Sequence, residues 1–189
     1  MTEDWLPSVQ FRECHARRHL VADAEALLTA AEQYDDREDP VMDTLLRLRE
    51  WPARTAVRLG FRNASAGRPR FGLADFVRLQ RSGDTLVYGL VGRFWRPDFG
   101  LETIASPEAF RRFDRPGVAK LVLRFDVLRE PDGTATLRTE TSIHCPDART
   151  RALLTPYWYA IRPASGWLRH RILAAIARRT SQAASSRDS

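Results

Sequence analysis

Three groups of residues in this chain combine reactive side chains with suggestive spacing. The first lies in Leu153–Pro163, the run LLTPYWYAIRP. Leu154, Tyr157 or Trp158, and Ile161 are spaced to share one face of a helix. That face can simply pack on a sheet, as aromatic stripes commonly do. It can also line a pocket, with Arg162 as a cationic anchor for a carboxylate or phosphate. The second group is Gly89–Pro97, GLVGRFWRP. Two glycines inside a strand mark a bend or the close approach of another backbone. Arg93 shares its strand face with Val91 and Trp95, so it is expected to point inward and to need an acidic partner. Glu140 is the candidate partner, and such a pair serves as well for structure as for ligand binding or catalysis. The third group is Cys14-His15 and His144-Cys145. Neighbours in a strand point to opposite faces, and Cys-x-x-Cys spacing is absent, so no metal site is expected. The candidate ligand-lining residues are therefore Arg93, Trp95, Glu140, Tyr157, Trp158 and Arg162.

Other chemistries find no footing. There is no Gly-x-Ser-x-Gly, phosphate loop or dinucleotide fingerprint, and no cofactor is expected. Gly89-x-x-Gly92 is followed by neither lysine nor Ser/Thr and opens no helix. A cysteine nucleophile lacks a base, because His144 directs its side chain away from Cys145.

The elements that must position these residues follow from periodicity. Residues 1–7 read as a loose arm. SVQFRECHAR (8–17) alternates as a strand, with Val9 and Phe11 on one face. VADAEALLTAAEQY is a helix capped by Asp23, with Val21, Leu27, Leu28 and Ala31 as its apolar stripe. DDREDP breaks it, and PVMDTLLRLREW (40–51) forms a second helix that Pro52 ends or kinks. After a loop at 63–69 the period changes to two. FGLADFVRLQR and DTLVYGLVGRFW form a hairpin about Ser82-Gly83. Ser106-Pro107-Glu108 caps a short helix. VAKLVLRFDVLRE and TATLRTETSIHC flank a Pro-Asp-Gly turn at 131–133. A long helix follows Pro146-Asp147, expected to break or kink at Pro163–Gly166. Residues 181–189 are small and polar, the composition of a disordered tail. One strand, helices, an antiparallel meander and a terminal helix make an α+β layer architecture in a single domain over 1–180.

Charge is distributed unevenly. Residues 1–146 hold 22 basic and 22 acidic residues, whereas the last 43 hold eight arginines against Asp147 and Asp188, giving the whole net charge of +6. Within GWLRHRILAAIARR, Leu168, Ile172, Ala175 and Ile176 form an apolar stripe with Arg169, His170, Arg178 and Arg179 around it. That pattern fits a core helix with a solvated basic face, or contact with an anionic membrane surface or polyanion. Nucleic acid is disfavoured, since the remainder is neutral and no recognised module is visible. No window approaches the roughly 18 apolar residues of a membrane span. The N-terminus lacks a signal-peptide core, and two cysteines make no disulfide framework, so a cytoplasmic protein is expected.

Several pieces together resemble a known superfamily: Leu46–Arg49, Gly89–Trp95, Pro116–Lys120, Thr139–Thr141 and Tyr157–Pro163. Over residues 40–180 the chain is similar to a bacterial branch, without an assigned reaction, of the START and polyketide cyclase/dehydrase-like (SRPBCC) superfamily. The resemblance implies a helix-grip fold, in which a curved antiparallel sheet wraps the last helix and a cavity between them holds an apolar or amphipathic ligand. It implies a binder or carrier of a small molecule. The alternatives are a cyclase- or dehydratase-like enzyme using Arg93 with Glu140 or Tyr157, or a peripheral membrane protein that exchanges lipid.

Overall fold

Each helix starts where a local side chain can satisfy its free amides. The computed structural model describes residues 5–34, 75–96 and 98–185; the expected helix at 40–51 and loop at 63–69 lie outside them. Helix α1 (Ala24–Glu32) is capped by Asp23, whose carboxylate accepts from the Ala26 amide at 2.7 Å. Helix α2 (Pro107–Arg112) is capped by Ser106, which accepts from the Ala109 amide at 3.1 Å. Helix α3 (Ala148–Ser185) is preceded by Asp147, which accepts from the Thr150 amide and hydroxyl at 2.7 Å each and from the Gly117 amide at 2.9 Å. Those donors favour the carboxylate and hold its pKa down at about 2. Caps of this kind contribute about 1 kcal/mol each. Val21 lies ahead of the α1 cap and is exposed, so the buried stripe is Leu27, Leu28 and Ala31 without it.

Among the described residues five strands make one sheet: β1 (Phe11–Leu20), β2 (Val77–Ser82), β3 (Thr85–Gly92), β4 (Ala119–Arg129) and β5 (Ala135–His144). All neighbours are antiparallel, in the order β1-β5-β4-β3-β2. The β4–β5 hairpin turns where Pro-Asp-Gly predicts, with Gly133 at φ +80° and the Asp132 carboxylate accepting from the Thr134 amide at 2.9 Å. The first strand lies beside the last, with Phe11 opposite Ile143 and His15 opposite Thr139. Register shifts interrupt both edge strands, between Arg17 and Leu20 and between Arg78 and Gln80.

Alternation then sorts the side chains into two layers. On the inner face Leu86, Leu123, Phe125 and Leu137 pack against Leu27 and Leu28 of α1 and Ile172, Leu173 and Ile176 of α3. Each such side chain contributes about 1.5–3 kcal/mol by leaving water. On the outer face Val87, Val91 and Val122 pack beneath Phe110 of α2 and beneath Trp5 and Leu6. The N-terminal arm is thus docked at Trp5 and Leu6 rather than loose. Gly89 is glycine because a Cβ there would come within 2.7 Å of the Phe110 ring. The protein is α+β, with a five-stranded antiparallel sheet and a long C-terminal helix.

Helix α3 runs unbroken through Pro156 and Pro163, so of the break or kink expected at Pro163 the break does not occur. A proline at position i frees the carbonyl at i−4. Here the freed carbonyls belong to Ala152 and Tyr159, and all four residues are exposed, so water can take the place of the missing amide. The prolines fall seven residues apart, on the side of the helix away from the sheet. The helix also continues through 181–185, where composition suggests a tail.

Candidate functional site

The residues that converge between sheet and helix are only partly those picked out by composition. Trp158 is buried and packs on Phe11 with ring centroids 5.5 Å apart. Tyr157 and Trp95 are half-buried against the same cluster, which includes Leu90, Phe94, Ile143 and Leu154. These three aromatics therefore meet at one end of the sheet–helix interface. Arg162 lies about a turn further along α3 and reaches Glu13 of β1, with Nε 3.7 Å from Oε1. The expected pairing of Arg93 with Glu140 does not form. Arg93 approaches Glu102 at 3.7 Å in the connection that follows β3. Glu140 points to the opposite face from α3, where Arg138 donates to it at 2.6 Å, Ser142 at 3.0 Å and the Cys14 thiol at 3.3 Å, with Arg12 at 3.5 Å. Spacing placed Arg93 on a face with Val91 and Trp95; it could not show where the connection after Gly92 would carry Arg93.

Between the aromatic end and the Ile172–Ile176 end, the interface is polar. Strand β1 presents Glu13 and His15 inward, opposite Thr141 and Thr139 of β5. Both side chains are largely covered, 9% and 15% exposed, and His15 Nε2 stands 3.2 Å from Glu13 Oε1. That contact lacks hydrogen-bond geometry, so Nε2 has no hydrogen-bond partner among the described residues; nor has the Oγ1 of Thr139, a residue only 1% exposed. From α3, Arg169 donates to the Thr141 hydroxyl at 3.2 Å. Sequence periodicity assigns Arg169 to the solvated basic rim, but it turns inward. Desolvation lowers its pKa to about 10, opposed by Glu13, which leaves it a cation at neutral pH. His170 meets the His15 ring edge-on at 4.9 Å. Buried polar atoms are nearly always hydrogen-bonded, and here two without a hydrogen bond stand at opposed register positions on neighbouring strands.

This polar seam was within reach of the sequence. The sequence puts Phe11 on one strand face, and a period of two carries that face on to Glu13 and His15. The four Cys and His side chains in fact divide between the faces. Cys14 faces outward with Glu140, and burial raises its pKa, opposed by Arg138 and reinforced by Glu140, so the thiol stays protonated. His144 faces outward too, its Nδ1 3.0 Å from the Ser8 hydroxyl and 3.1 Å from the Ser8 carbonyl. Cys145 joins the inner aromatic cluster, where burial pushes its thiol up to about 11.

A separate cleft of about 150 Å³ lies between the start of α1 and the β4–β5 turn, lined by Ala22, Val127, Glu130 and Thr134 among others. It shares no residue with the seam and is smaller than the roughly 300 Å³ at which ligand sites begin. Among the described residues no helix is long and apolar enough to cross a membrane. Comparison of the chain with protein-family models, with curated proteins and with solved structures gives no match in any of the three.

Proposed function

We propose that this chain is a helix-grip protein of the START and polyketide cyclase/dehydrase-like kind, and that it binds a small amphipathic molecule at the seam between β1, β5 and α3. The observation that supports the reading is the pair of buried polar atoms without a hydrogen bond, His15 Nε2 and Thr139 Oγ1, at directly opposed positions, although Nε2 does stand 3.2 Å from the Glu13 carboxylate. Leaving a buried polar group unsatisfied costs about 1–3 kcal/mol, which a bound hydroxyl or carbonyl would recover. The aromatic end at Phe11, Trp95, Tyr157 and Trp158 supplies an apolar wall next to that polar anchor. Arg162 and Arg169 against the single carboxylate of Glu13 favour a head group that is neutral or anionic over a cationic one.

Native mass spectrometry of protein purified from its own host tests this directly. The expected result is a retained small molecule that is lost in both His15→Ala and Thr139→Val. Retention undiminished in both variants would place the ligand elsewhere, and a protein that carries and takes up no small amphipathic molecule would end the reading.

A second reading is favoured by one contact, Glu13 Oε1 to His15 Nε2 at 3.2 Å. A carboxylate beside an imidazole can hold and move a proton, as a cyclase- or dehydratase-like activity on the same ligand requires. Recovery of the supplied molecule chemically unchanged after prolonged incubation, with turnover absent across the titration range of His15, would leave binding alone.

A further inference from the structure

The solvent side of α3 has a composition that core packing does not explain. Within Ala148–Ser185 there are seven arginines and no aspartate or glutamate. Two of the seven belong to the seam side, Arg169 turning into it and Arg162 reaching Glu13 at its edge, whereas Arg149, Arg151, Arg178 and Arg179 are exposed. Among them stand three large apolar side chains open to solvent: Leu153 (46% exposed), Tyr159 (64%) and Trp167 (48%). At 100° per residue, Arg149, Leu153, Trp167 and Arg178 fall within about 40° of one another, on the line that also carries Pro156 and Pro163. The helix is 38 residues long, and from Arg149 to Arg178 this stripe runs along about 44 Å.

We infer that this outer face of α3 is a docking surface for an anionic lipid bilayer, lying along the plane of the headgroups. Tyr and Trp combine an apolar ring with a polar edge and suit the headgroup boundary, while arginines meet lipid phosphates. The absence of acidic residues removes the repulsion that would oppose contact along the whole length. A second copy of the helix fits less well: identical arginine-rich stripes repel each other, and the two prolines interrupt regular knobs-into-holes packing. The charge split agrees, since residues 147–189 carry the whole +6 while residues 1–146 are neutral. The proposal does not depend on the seam, which lies on the other side of the same helix.

Co-sedimentation of the full chain with vesicles tests it. The protein is expected to sediment with phosphatidylcholine vesicles containing phosphatidylglycerol at low salt, to remain in solution with pure phosphatidylcholine, and to be released as salt rises. Arg149→Gln and Arg178→Gln each weaken partition by roughly five-fold, the effect of one basic residue near a charged leaflet. Trp167→Ala weakens it as well and leaves less of the binding salt-resistant. Arg17→Gln and Arg18→Gln, on β1, serve as controls and change it little; circular dichroism confirms that each variant is folded. The proposal is overturned by no sedimentation with anionic vesicles at low salt, or by equal losses in the β1 controls. Binding to single-stranded RNA tighter than to vesicles, insensitive to Trp167→Ala, would assign the face to a polyanion instead.

Discussion

Gly166 of α3 lies against the ring of His15 on β1: a Cβ at this glycine would stand 3.2 Å from His15 Cε1 and 3.5 Å from Glu13 Oε1. Helix and strand approach closely here because one of them carries no side chain. Gly166→Ala gains about 1 kcal/mol of helix propensity and loses about 1–3 kcal/mol to overpacking against a ring already bounded by Glu13 and His170. The expected net is a loss of about 1 kcal/mol in urea titration. Gly166→Val brings more bulk with less propensity and is expected to cost about 2–3 kcal/mol. An alanine variant more stable than the parent by the full propensity gain would mean that the His15 ring yields freely.

Thr139→Val exchanges a buried hydroxyl without a partner for a methyl of similar shape. Removing an unsatisfied polar group relieves about 1–3 kcal/mol, so the ligand-free variant is expected to be as stable as the parent or more so. Ligand retention is expected to fall at the same time. Destabilisation of the empty protein would show that Oγ1 already has a partner.

Trp158 and Phe11 join helix to first strand at the aromatic end of the seam. Trp158→Ala is expected to cost about 3–5 kcal/mol, the range for removing a large buried aromatic. Tyr157→Ala, at a half-buried position, is expected to cost less than half of that. Equal costs would place Tyr157 in the core.

His144 gives acid sensitivity of a definite sign. Burial, the largest influence, depresses its pKa below the ordinary 6.5, with Lys120 acting in the same direction and the Ser8 carbonyl against it. A histidine harder to protonate when folded than when unfolded adds stability above pH 6.5, and that contribution is lost as the pH falls below 6.5 towards the folded pKa. Urea stability measured across pH 7.5 to 5 is therefore expected to decline, and His144→Gln to flatten the decline. A stability that rises on acidification would contradict the assignment.

Both thiols are expected to alkylate slowly at neutral pH. Burial holds each above the free-cysteine value, Cys145 at about 11, so the thiolate fraction is small. Cys14, on the exposed side of β1, is expected to react first, and both rates to climb with pH through the alkaline range. Rapid labelling of Cys145 in the folded protein at pH 7 would show that the aromatic cluster opens.

What the sequence disclosed was whatever depends on near neighbours. Asp23, Ser106 and Asp147 cap helices because a side chain reaches an amide three residues on, and Pro131-Asp132-Gly133 turns because of its own backbone preferences. The α+β order follows from those signals together with the periodicity. Contacts set by register were harder to read. Arg138 meets Glu140 two places along one strand face, as a period of two allows, but nothing local says that Cys14 and Arg12 join them, or that Arg93 belongs with Glu102. Arg169 was misplaced for a related reason: composition puts a helical arginine in water, and only the facing Thr141 and Glu13 draw it inward. Pro163 illustrates the opposite case, a local signal that does not end the helix, because the carbonyl it frees is on the wet side.

The pairing of Phe11 with Ile143 and of His15 with Thr139 also bears on how the molecule is made. These partners are separated by more than a hundred residues, so closing the β1 edge carries the largest loop-entropy cost in the sheet. During synthesis β1 leaves the ribosome first and has to wait for β5. The β2–β3 and β4–β5 hairpins can form from near neighbours, and the β5 edge stays uncovered until β1 pairs with it. That edge is the stretch through which two nascent copies would exchange strands.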